Sequence, residues 1–446
     1  MRRRASIALG FLALIALGAV LLAGPWAQAS GAWGRPMESL FTACSAVCVT
    51  GLTVVDVGTV YSRAGQVVLL CLVEVGCLGL MTCGTFLLIA IGRRLSLSRE
   101  FTLMNAYGVE QVQGLRGLIC WVVGSMLVLE TLGAAAYYVR LGDVYESVFF
   151  SVMSFCNAGF SIREGSLASF AGDSYLVFTS AVLTILGGIG FLVIYNLCTF
   201  KFLRRPSGGR GRLTLHTRVV LRFTLYLLAF AFAAFLLVEW GNPETLGRYD
   251  GVWDRLTVGF YQAVTPRTCG FCITPTENLR PLTQLIYEFL MFIGGGPGSA
   301  AAGIKVTTFA VLCYTLTAMC RAETETVIRR RMIPADIVRE SLVILMALIV
   351  MAAVFTGALF FTESEMLRTA AKGVTQDKLF FEAVSAITTT GLSIGDTTRN
   401  LTPAGRVVIM VAMFVGRLGA LTVVMMIGDR ESKKHVRFPT EEIVVG

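Results

Sequence analysis

Charged residues are scarce in this chain. Asp, Glu, Lys and Arg make up 15% of the 446 residues, whereas a soluble globular domain usually carries about 25%. Histidine is nearly absent, with 2 copies, and neither an H-E-x-x-H metal motif nor a phosphate-binding P-loop is present. Hydrophobic residues reach 55%, and the mean hydropathy is +0.71. This balance excludes a disordered chain, a secreted disulfide scaffold and a cytosolic enzyme, and it predicts a polytopic membrane protein. The 46 glycines are the abundance that needs an explanation.

Eight apolar stretches are long enough to cross a hydrocarbon core about 30 Å thick. The sixth is overlong and is interrupted by Gly294-Gly295-Gly296-Pro297-Gly298, which predicts a broken helix. The first resembles a signal peptide that ends in Ala27-Gln28-Ala29. We interpret it as a retained helix, because the internal repeat described below needs it. The stretches cover 7–24, 66–92, 117–139, 175–200, 219–239, 282–318, 341–361 and 405–428.

The distribution of Lys and Arg predicts the orientation. Basic residues precede the first stretch and follow the second, fourth, sixth and eighth, which places both termini in the cytoplasm. The net charge of +9 falls between apolar runs and not along one face of a domain, which argues against nucleic acid as a partner. The densest basic segment, 201–222, is either a simple cytoplasmic anchor or a docking face for a cytosolic partner.

A fourfold repeat accounts for many of the glycines. Between each odd stretch and the next lies a segment too short to cross the membrane, at 41–52, 149–160, 260–271 and 381–392. The segments align on Gly51, Gly159, Gly270 and Gly391, each with Phe ten residues earlier and with Leu or Phe directly after it. Another glycine follows each of them after twenty-eight residues, at Gly79, Gly187, Gly298 and Gly419. The unit of span, half-span, glycine turn and span therefore recurs about every 110 residues.

The repeat divides the chain into five parts. Residues 1–112 form the first repeat with its turn near 48–52, and residues 113–212 the second with its turn near 156–160. Residues 213–335 form the third, with a turn near 267–271 and an intramembrane loop at 294–303. Residues 336–430 form the fourth with its turn near 388–392, and 431–446 are a cytosolic tail. The predicted fold is an all-α polytopic membrane protein with eight transmembrane helices, in which four pseudo-symmetric repeats, each with a re-entrant pore helix and a filter, surround a central pore.

Such turns indicate an ion pathway. A half-span that turns back inside the membrane leaves backbone groups unpaired, which is tolerated where they line a cavity or are buried in protein. Four turns around one axis would present rings of carbonyl oxygens that replace the hydration shell of an ion, and the C-terminal ends of the short helices favour a cation. No carboxylate lies in the four turns, so we expect a monovalent cation. The alternative is that the turns only pack. The predicted filter comprises Val49, Thr50, Gly51, Asn157, Ala158, Gly159, Thr268, Cys269, Gly270, Thr389, Thr390 and Gly391.

Several motifs carry a family resemblance over essentially the whole chain. They are CVTGLTVVD (48–56), NAGF (157–160), GGIGF (187–191), TCGF (268–271), PGSAAAGIK (297–305), TTGLS (389–393) and GRLGALT (416–422). They resemble the Trk/Ktr/HKT superfamily of potassium transporters, most closely the ion-conducting subunit of the bacterial Ktr system. The resemblance implies potassium uptake across the bacterial cytoplasmic membrane, a homodimer and a cytosolic nucleotide-binding (RCK-type) regulatory ring. It implies no enzymatic activity and no bound cofactor apart from transported potassium, and it leaves sodium open as an activator.

Some residues agree with the pattern of the family, and others depart from it. In the family, glycine at all four filter positions goes with potassium selectivity, whereas serine at the position of Gly51 marks many sodium-selective plant relatives. Cys269 and Thr390 differ from the small residues expected beside filter glycines, and the three alanines at 300–302 replace a Ser-Thr-Gly-Gly-like stretch. Glu74 stands where the family usually has an uncharged residue. It is either an ion or proton site or a buried, paired or protonated carboxyl.

The broken sixth stretch and a lone arginine predict a gate. An irregular loop below the filter would close the pathway, and Arg417 at membrane depth should face a wet cavity or bind carbonyl oxygens. Near the pore it would oppose cations until the loop moves, and the resemblance places an arginine at this constriction. The alternative is a static tether between helices. The predicted gate residues are Gly294, Gly295, Gly296, Gly298, Ser299, Gly303, Lys305 and Arg417.

Other functions remain as alternatives. A sodium-preferring or non-selective monovalent cation pathway has the same architecture. An intramembrane enzyme would need clustered catalytic side chains, and the sequence offers Glu74, Glu130 and Glu288, far apart along the chain. The G-x-S-x-G motif at 391–395 resembles a hydrolase nucleophile elbow, but it lacks a histidine at membrane depth. A scaffold protein that has lost conduction is disfavoured by the four filter glycines.

Overall fold

The computed structural model describes residues 2–79, 115–163, 165–202, 213–323, 325–369 and 373–419. These ranges are mostly helical. They contain one departure from the all-α prediction, a two-stranded antiparallel ribbon of Val327–Ile328 and Arg331–Met332. The predicted ends of the second and eighth spans (80–92 and 420–428), part of the basic segment (203–212) and the tail at 431–446 lie outside the described ranges.

The first and second repeats each contain an outer helix, a short helix and an inner helix. In the first repeat these are Arg2–Ala23, Pro36–Val47 and Arg63–Leu78, with one further turn at Val57–Val60. In the second repeat they are Leu115–Leu141, Val144–Phe155 and Ser174–Ile189, with a 3-10 turn at Ala168–Phe170. Pro36 and Asp143 mark the starts of the short helices, since proline suits the first helical position and the Asp143 side chain caps the backbone N–H of Glu146.

The third and fourth repeats have the same order of helices. In the third, the outer, short and inner helices are Leu215–Glu239, Val252–Val264 and Pro281–Phe292, and Val306–Cys320 continues beyond a break. Two 3-10 turns lie at Leu246–Arg248 and Thr276–Asn278. In the fourth, the outer, short and inner helices are Ala335–Thr362, Gln376–Ile387 and Pro403–Leu418, with minor helices at Ser364–Thr369 and Thr397–Asn400.

The predicted span at 175–200 is bent and not a single straight helix. Its helix ends at Ile189, and a second helix, Phe191–Phe202, leaves at an angle of 95°. Gly190 makes this bend with φ +100° and ψ 141°, a conformation that L-residues with a side chain rarely adopt. The inner helices of the first and fourth repeats end at Gly79 (φ 76°, ψ 140°) and Gly419 (φ 84°, ψ 140°), so three repeats end this helix with the same backbone geometry.

Three described helices are long and apolar enough to cross a membrane, namely Ile119–Leu141, Leu215–Glu239 and Ala335–Thr362. The bent pair Ser174–Ile189 and Phe191–Thr199 makes a fourth if it is counted as one span. The count of eight spans therefore stays a prediction.

Unlike a soluble protein, this chain exposes many large apolar side chains on its outer helices. The short helices occupy the interior, and Phe41, Phe149 and Phe381 on them are fully buried. The outer helices expose large apolar side chains such as Leu237 and Phe361. Lipid is the solvent that accepts such a surface, because its tails are as apolar as these side chains. The arrangement is that of a membrane protein whose polar elements are inside.

Buried carboxylates join the outer and inner helices of the third and fourth repeats. Glu239, at the end of the third outer helix, accepts hydrogen bonds from the backbone N–H of Arg280 (2.8 Å) and the hydroxyl of Thr283. Glu363, just beyond the fourth outer helix, accepts one from the Thr402 hydroxyl at 2.6 Å. Each carboxylate lies at the start of an inner helix, where the helix dipole favours negative charge. In each repeat, these contacts join the end of the outer helix to the first turn of the inner helix; we call this junction the corner of the repeat.

In the first two repeats, the inner helix is also fixed at its first turn, but by contacts other than a buried carboxylate. The hydroxyl of Ser62, which caps the first inner helix, donates to the carbonyl oxygen of Trp26 at 2.6 Å. In the second repeat, Arg140 forms an ion pair of 3.6 Å with Asp173, the N-cap of the inner helix. All four inner helices are therefore anchored at their first turn.

Candidate ion pathway

The four glycine turns meet and form a closed ring. A Cβ atom built on Gly51 would lie 2.5 Å from the carbonyl oxygen of Ala158, and one on Gly159 would lie 2.8 Å from the Cα atom of Gly270. One on Gly270 would lie 2.9 Å from the carbonyl oxygen of Thr390, and one on Gly391 would collide with the carbonyl oxygen of Thr50. Real Cβ atoms do not approach backbone atoms so closely. The ring therefore has no room for a side chain at any of the four positions.

The backbone of the turns has an unusual conformation that all four copies share. The filter glycines have φ between +68° and +94°, and the residues two positions earlier are also left-handed. Those residues are Val49 (φ 53°), Asn157 (φ 56°), Thr268 (φ 61°) and Thr389 (φ 48°). Such a conformation costs about 1–2 kcal/mol for an L-residue, most for a β-branched one, and it persists where the surroundings enforce it. Strain at the same position of four turns indicates a functional backbone.

The N–H groups of the turns bond back to the short helices. The backbone N–H of Thr50 donates to the carbonyl oxygen of Ser45 (2.8 Å), that of Ala158 to Met153 (3.0 Å) and that of Thr390 to Ser385 (2.8 Å). Within the described residues, none of the twelve carbonyl oxygens of the predicted filter accepts a hydrogen bond. Buried carbonyl groups are almost always paired. These twelve form a set of free acceptors at the centre of the protein.

Threonine hydroxyls add to these acceptors. The Oγ1 atoms of Thr50, Thr268 and Thr389 are buried and make no hydrogen bond to another described residue. Asn157 differs: with its amide turned so that the nitrogen faces the backbone, that nitrogen donates to the carbonyl oxygens of Ser154 (3.0 Å) and Thr184 (3.2 Å). Neutral oxygens without a fixed carboxylate suit an ion of single charge.

A buried polar network supports the second and third turns, and sequence reasoning missed it. The hydroxyl of Tyr137 lies 3.0 Å from that of Ser154, which lies 3.2 Å from the Ser180 hydroxyl. The hydroxyl of Tyr261 lies 3.1 Å from Ser180 and 3.5 Å from the Sγ atom of Cys269. Tyrosines inside apolar stretches were the available signal, since a buried Tyr hydroxyl needs a partner.

An open cavity of about 530 Å³ leads to the ring from one side. It is lined by the filter glycines Gly51, Gly159 and Gly391 and by the segments that follow the four turns. Its arginines are offset by acidic partners: Arg163 donates to Glu146 (2.9 Å) and Arg399 to Asp396 (3.3 Å). The cavity is therefore open to solvent, and these two arginines are each paired with a carboxylate.

The break in the third inner helix lies on the other side of the ring. Between Phe292 and Val306 the chain forms an irregular loop, which we call the inner loop (293–305). Its Gly298 (φ 69°) and Gly303 (φ 70°) are left-handed, and the hydroxyl of Ser299 is buried with no partner among the described residues. The N–H groups of Gly296 and Ala300 donate to the carbonyl oxygens of Gly188 (2.8 Å) and Gly187 (3.4 Å).

Two basic side chains hold the inner loop. Nη1 of Arg417 donates to the carbonyl oxygen of Ala300 at 2.6 Å, and its Nη2 donates to that of Gly76. Nζ of Lys305 donates to the carbonyl oxygen of Ala301 at 2.6 Å. Arg417 therefore joins the first and fourth inner helices to the loop, which already contacts the second. All four inner helices converge at the inner loop.

Arg267 connects the third turn directly to the inner loop, a link that the sequence did not reveal. Its side chain is 8% exposed, and Nη2 donates to the carbonyl oxygen of Gly294 at 3.2 Å. Arg267 directly precedes the filter residue Thr268. A displacement of Gly294 would therefore be transmitted through Arg267 to the third turn.

The predicted second register of glycines needs a correction in one repeat. Gly76 packs on the carbonyl oxygen of Val47 and Gly416 on that of Ile387, in each case the last residue of the short helix. In the second repeat the corresponding contact, to Phe155, is made by Gly187. Gly187 therefore matches Gly76 and Gly416 and not Gly79 and Gly419. The second inner helix has 16 residues, as the first and fourth do, but it begins three residues later after its glycine turn, so its glycine break falls at Gly190.

The acidic residues also need a correction. Glu74 and Glu130 are far apart in sequence and were interpreted as scattered, but the structure brings them together with Cys156. Glu288 is in no such ligand cluster among the described residues.

Comparisons with known proteins agree with this geometry. The TrkH family, described as a cation transport protein, matches residues 26–436. The chain is 34% identical to the Ktr system potassium uptake protein B of Bacillus subtilis (strain 168), over 99% of this chain and 96% of that protein. It is 34% identical to the protein of the same name from Vibrio alginolyticus, over 99% and 94%. It is 32% identical to the potassium/sodium uptake protein NtpJ of Enterococcus hirae, over 99% and 96%.

A solved structure has the same fold. The crystal structure of the potassium transporter TrkH from Vibrio parahaemolyticus matches with a TM-score of 0.73 at 17% identity, over 94% of this chain and 84% of that one. The likeness spans nearly all of this chain.

Proposed function

Because the chain belongs to the TrkH family of cation transport proteins, we propose that it is a potassium uptake protein of the bacterial cytoplasmic membrane. The family is one of ion transporters and not of enzymes. The relatives that are 34% identical over nearly their whole length carry the name of a potassium uptake protein. The apolar outer helices support a multi-pass location in the membrane, and the positions of Lys and Arg support cytoplasmic termini.

One observation carries the proposal, namely the closed ring of four turns whose carbonyl oxygens have no partner in the described chain. An ion that enters from the 530 Å³ cavity would exchange water for these oxygens and for the free hydroxyls of Thr50, Thr268 and Thr389. The bonds from the turns to the short helices hold the carbonyl groups in place. The pathway would therefore select ions by the spacing of a preformed backbone.

The inner loop and Arg417 form the gate in this proposal. The loop lies on the far side of the ring from the cavity, and a guanidinium that bonds Ala300 and Gly76 places positive charge on the exit path. A cation would pass when the loop and this charge move aside. Lys305 would hold the closed position through Ala301.

The chain would work with partners. The names of the relatives refer to a Ktr system, which supports an assembly with a second kind of subunit. We extend this to a homodimer whose cytoplasmic face binds a nucleotide-binding RCK-type ring, with the basic segment 201–222 as a docking face.

Growth rescue tests the proposal. The full chain and its partner subunit are expressed in a bacterial host without its own potassium uptake systems, and growth is measured at micromolar potassium. We expect rescue by the wild type and loss of rescue by Gly51→Ser, because φ +94° and the nearby Ala158 oxygen leave no place for a side chain. The control is Gly124→Ser, whose added Cβ meets open space. Failure of the wild type to rescue, despite normal membrane expression, would exclude potassium uptake.

A potassium/sodium pathway is the second candidate, favoured by the 32% identity to a potassium/sodium uptake protein. Potassium uptake by proteoliposomes is measured against increasing external sodium. Competition by sodium at equal concentration would support the second candidate, and unchanged potassium uptake would support a potassium-selective filter.

A further inference from the structure

Two carboxyl groups and a thiol lie together where the first two repeats meet. One oxygen of Glu74, one oxygen of Glu130 and the Sγ atom of Cys156 all lie within 4.8 Å of one another. Three elements supply them: the first inner helix, the second outer helix and the residue that ends the second short helix. The cluster therefore exists only in the folded protein.

Burial makes this cluster costly without a cation. Glu130 is 5% exposed and Cys156 is 0% exposed. Within the described ranges, the polar neighbours of the Glu130 carboxyl group are the Glu74 carboxyl group and the thiol of Cys156, with 3.6 Å between Sγ and Oε1. No ion pair between described residues includes Glu74 or Glu130. A buried carboxylate without a counter-ion is unfavourable, and a second carboxylate beside it adds repulsion. A cation between them would remove both costs.

We propose that Glu74, Glu130 and Cys156 form a binding site for a divalent metal ion of intermediate softness, such as Zn²⁺. A thiolate disfavours the hard ions Mg²⁺ and Ca²⁺, whereas a mixture of sulfur and carboxylate ligands suits Zn²⁺. Tetrahedral zinc takes a fourth ligand, and Cys77 is the nearest further thiol to this group, although it lies outside the set of atoms within 4.8 Å of one another. It lies three residues after Glu74, on the same helix face, and its thiol lies beside that of Cys156.

A metal ion at this position would affect the second turn and the contact between Gly76 and Arg417. Cys156 directly precedes the filter residue Asn157, and Glu74 lies two residues before Gly76, whose carbonyl oxygen Arg417 binds. A metal here would fasten the first inner helix, the second outer helix and the second turn to one point. The inference is independent of the transported ion, since it uses residues behind the ring and not in it.

Cadmium binding to the purified full-length protein tests the site, because a cadmium thiolate absorbs in the ultraviolet. After removal of metals, we expect one saturable equivalent of Cd²⁺ that Zn²⁺ displaces. Glu130→Gln should weaken binding about tenfold or more, and Cys156→Ser should abolish the saturable absorption. Glu288→Gln and Cys71→Ser are the controls, since Glu288 is a half-buried carboxyl of another inner helix and Cys71 is an exposed thiol on the helix of Glu74.

Thermal unfolding gives a second measurement. Zn²⁺ should raise the unfolding temperature of the wild type and of both controls, but not that of Glu130→Gln or, if that variant does not fold, of Glu74→Gln. Equal Cd²⁺ binding by the wild type and the Glu130 variant, or the absence of a Zn²⁺-dependent shift in the wild type, would overturn the proposal. The two carboxyl groups would then simply share a proton.

Discussion

Arg417 donates a hydrogen bond of 2.6 Å to the carbonyl oxygen of Ala300, 117 residues earlier in the chain. The bond joins the last inner helix to the inner loop, and the same guanidinium also binds Gly76 on the first inner helix. Charge-assisted hydrogen bonds are the strong ones in proteins. This arginine is therefore one of the side chains that keep the loop in its observed position, together with Lys305 and Arg267.

Removal of this contact should open the pathway. We expect Arg417→Ala to raise the potassium flux into proteoliposomes roughly tenfold, because a charge-assisted hydrogen bond contributes about 1.5–3 kcal/mol and about 1.4 kcal/mol corresponds to tenfold in a population. Arg406→Ala is the matched control, since Arg406 lies on the same helix but bonds Arg399 near the start of that helix. Equal flux in the wild type and the Arg417 variant, at equal expression, would make Arg417 a static tether.

Lys305 should act in the same direction with a smaller effect. Lys305→Met removes its bond to the carbonyl oxygen of Ala301 while the apolar stem is kept. We expect a rise in potassium flux of about threefold, because one bond of this kind is lost. Lys305→Arg retains a donor and should leave the flux near that of the wild type. A flux that falls in Lys305→Met would show that the lysine helps the cation to pass.

Tyr261 should control selectivity and not merely stability. Tyr261→Phe removes the hydroxyl that contacts Cys269 of the third turn and Ser180 of the second inner helix. We expect the preference for potassium over sodium to fall about twofold to tenfold, since a lost buried hydrogen bond costs about 0.5–1.5 kcal/mol. Tyr226→Phe is the control, because Tyr226 is exposed on the third outer helix. The ratio of potassium to sodium flux is the readout, and an unchanged ratio would limit the network to a structural role.

Gly416 should not tolerate a methyl group. A Cβ at this position would collide with the carbonyl oxygen of Ile387 at the end of the fourth short helix. We expect Gly416→Ala to lower the free energy of unfolding by about 1–3 kcal/mol, the usual cost of overpacking. Gly124→Ala meets open space on the second outer helix and should be neutral or stabilising by up to about 1 kcal/mol. Thermal unfolding in detergent compares the two, and the same sign for both would contradict the packing described here.

The sequence indicated the parts of the fold that depend on local pattern. The four short segments were visible because they are moderately apolar and end in a repeated glycine, and their neighbours are helices of the expected kind. The bend at Gly190 was missed, because hydropathy averages over one glycine inside a long apolar stretch. The register of Gly187 was misread for a related reason: equal spacing along the chain does not require equal positions in space.

The sequence could not predict which side chains of different repeats lie together. Glu74, Glu130 and Cys156 meet because three helices pack together, and no spacing rule gives that packing. The bond from Arg267 to Gly294 likewise depends on where the broken helix turns. Whether the filter residues bind potassium stays a prediction, although their glycines are neighbours in the structure.

The contacts of Glu239 and Glu363 should make one end of the protein stiffer than the other. At the end that carries the wide cavity, buried carboxylates clamp helix to helix through several short bonds. At the opposite end, the inner loop is held by single hydrogen bonds between backbone groups and by the long side chains of Arg267, Lys305 and Arg417. A force on the molecule would therefore deform the second end first. The ring of four turns would keep its diameter while the side of the inner loop widens, so that, in the proposed function, permeation rate and ion discrimination can change independently.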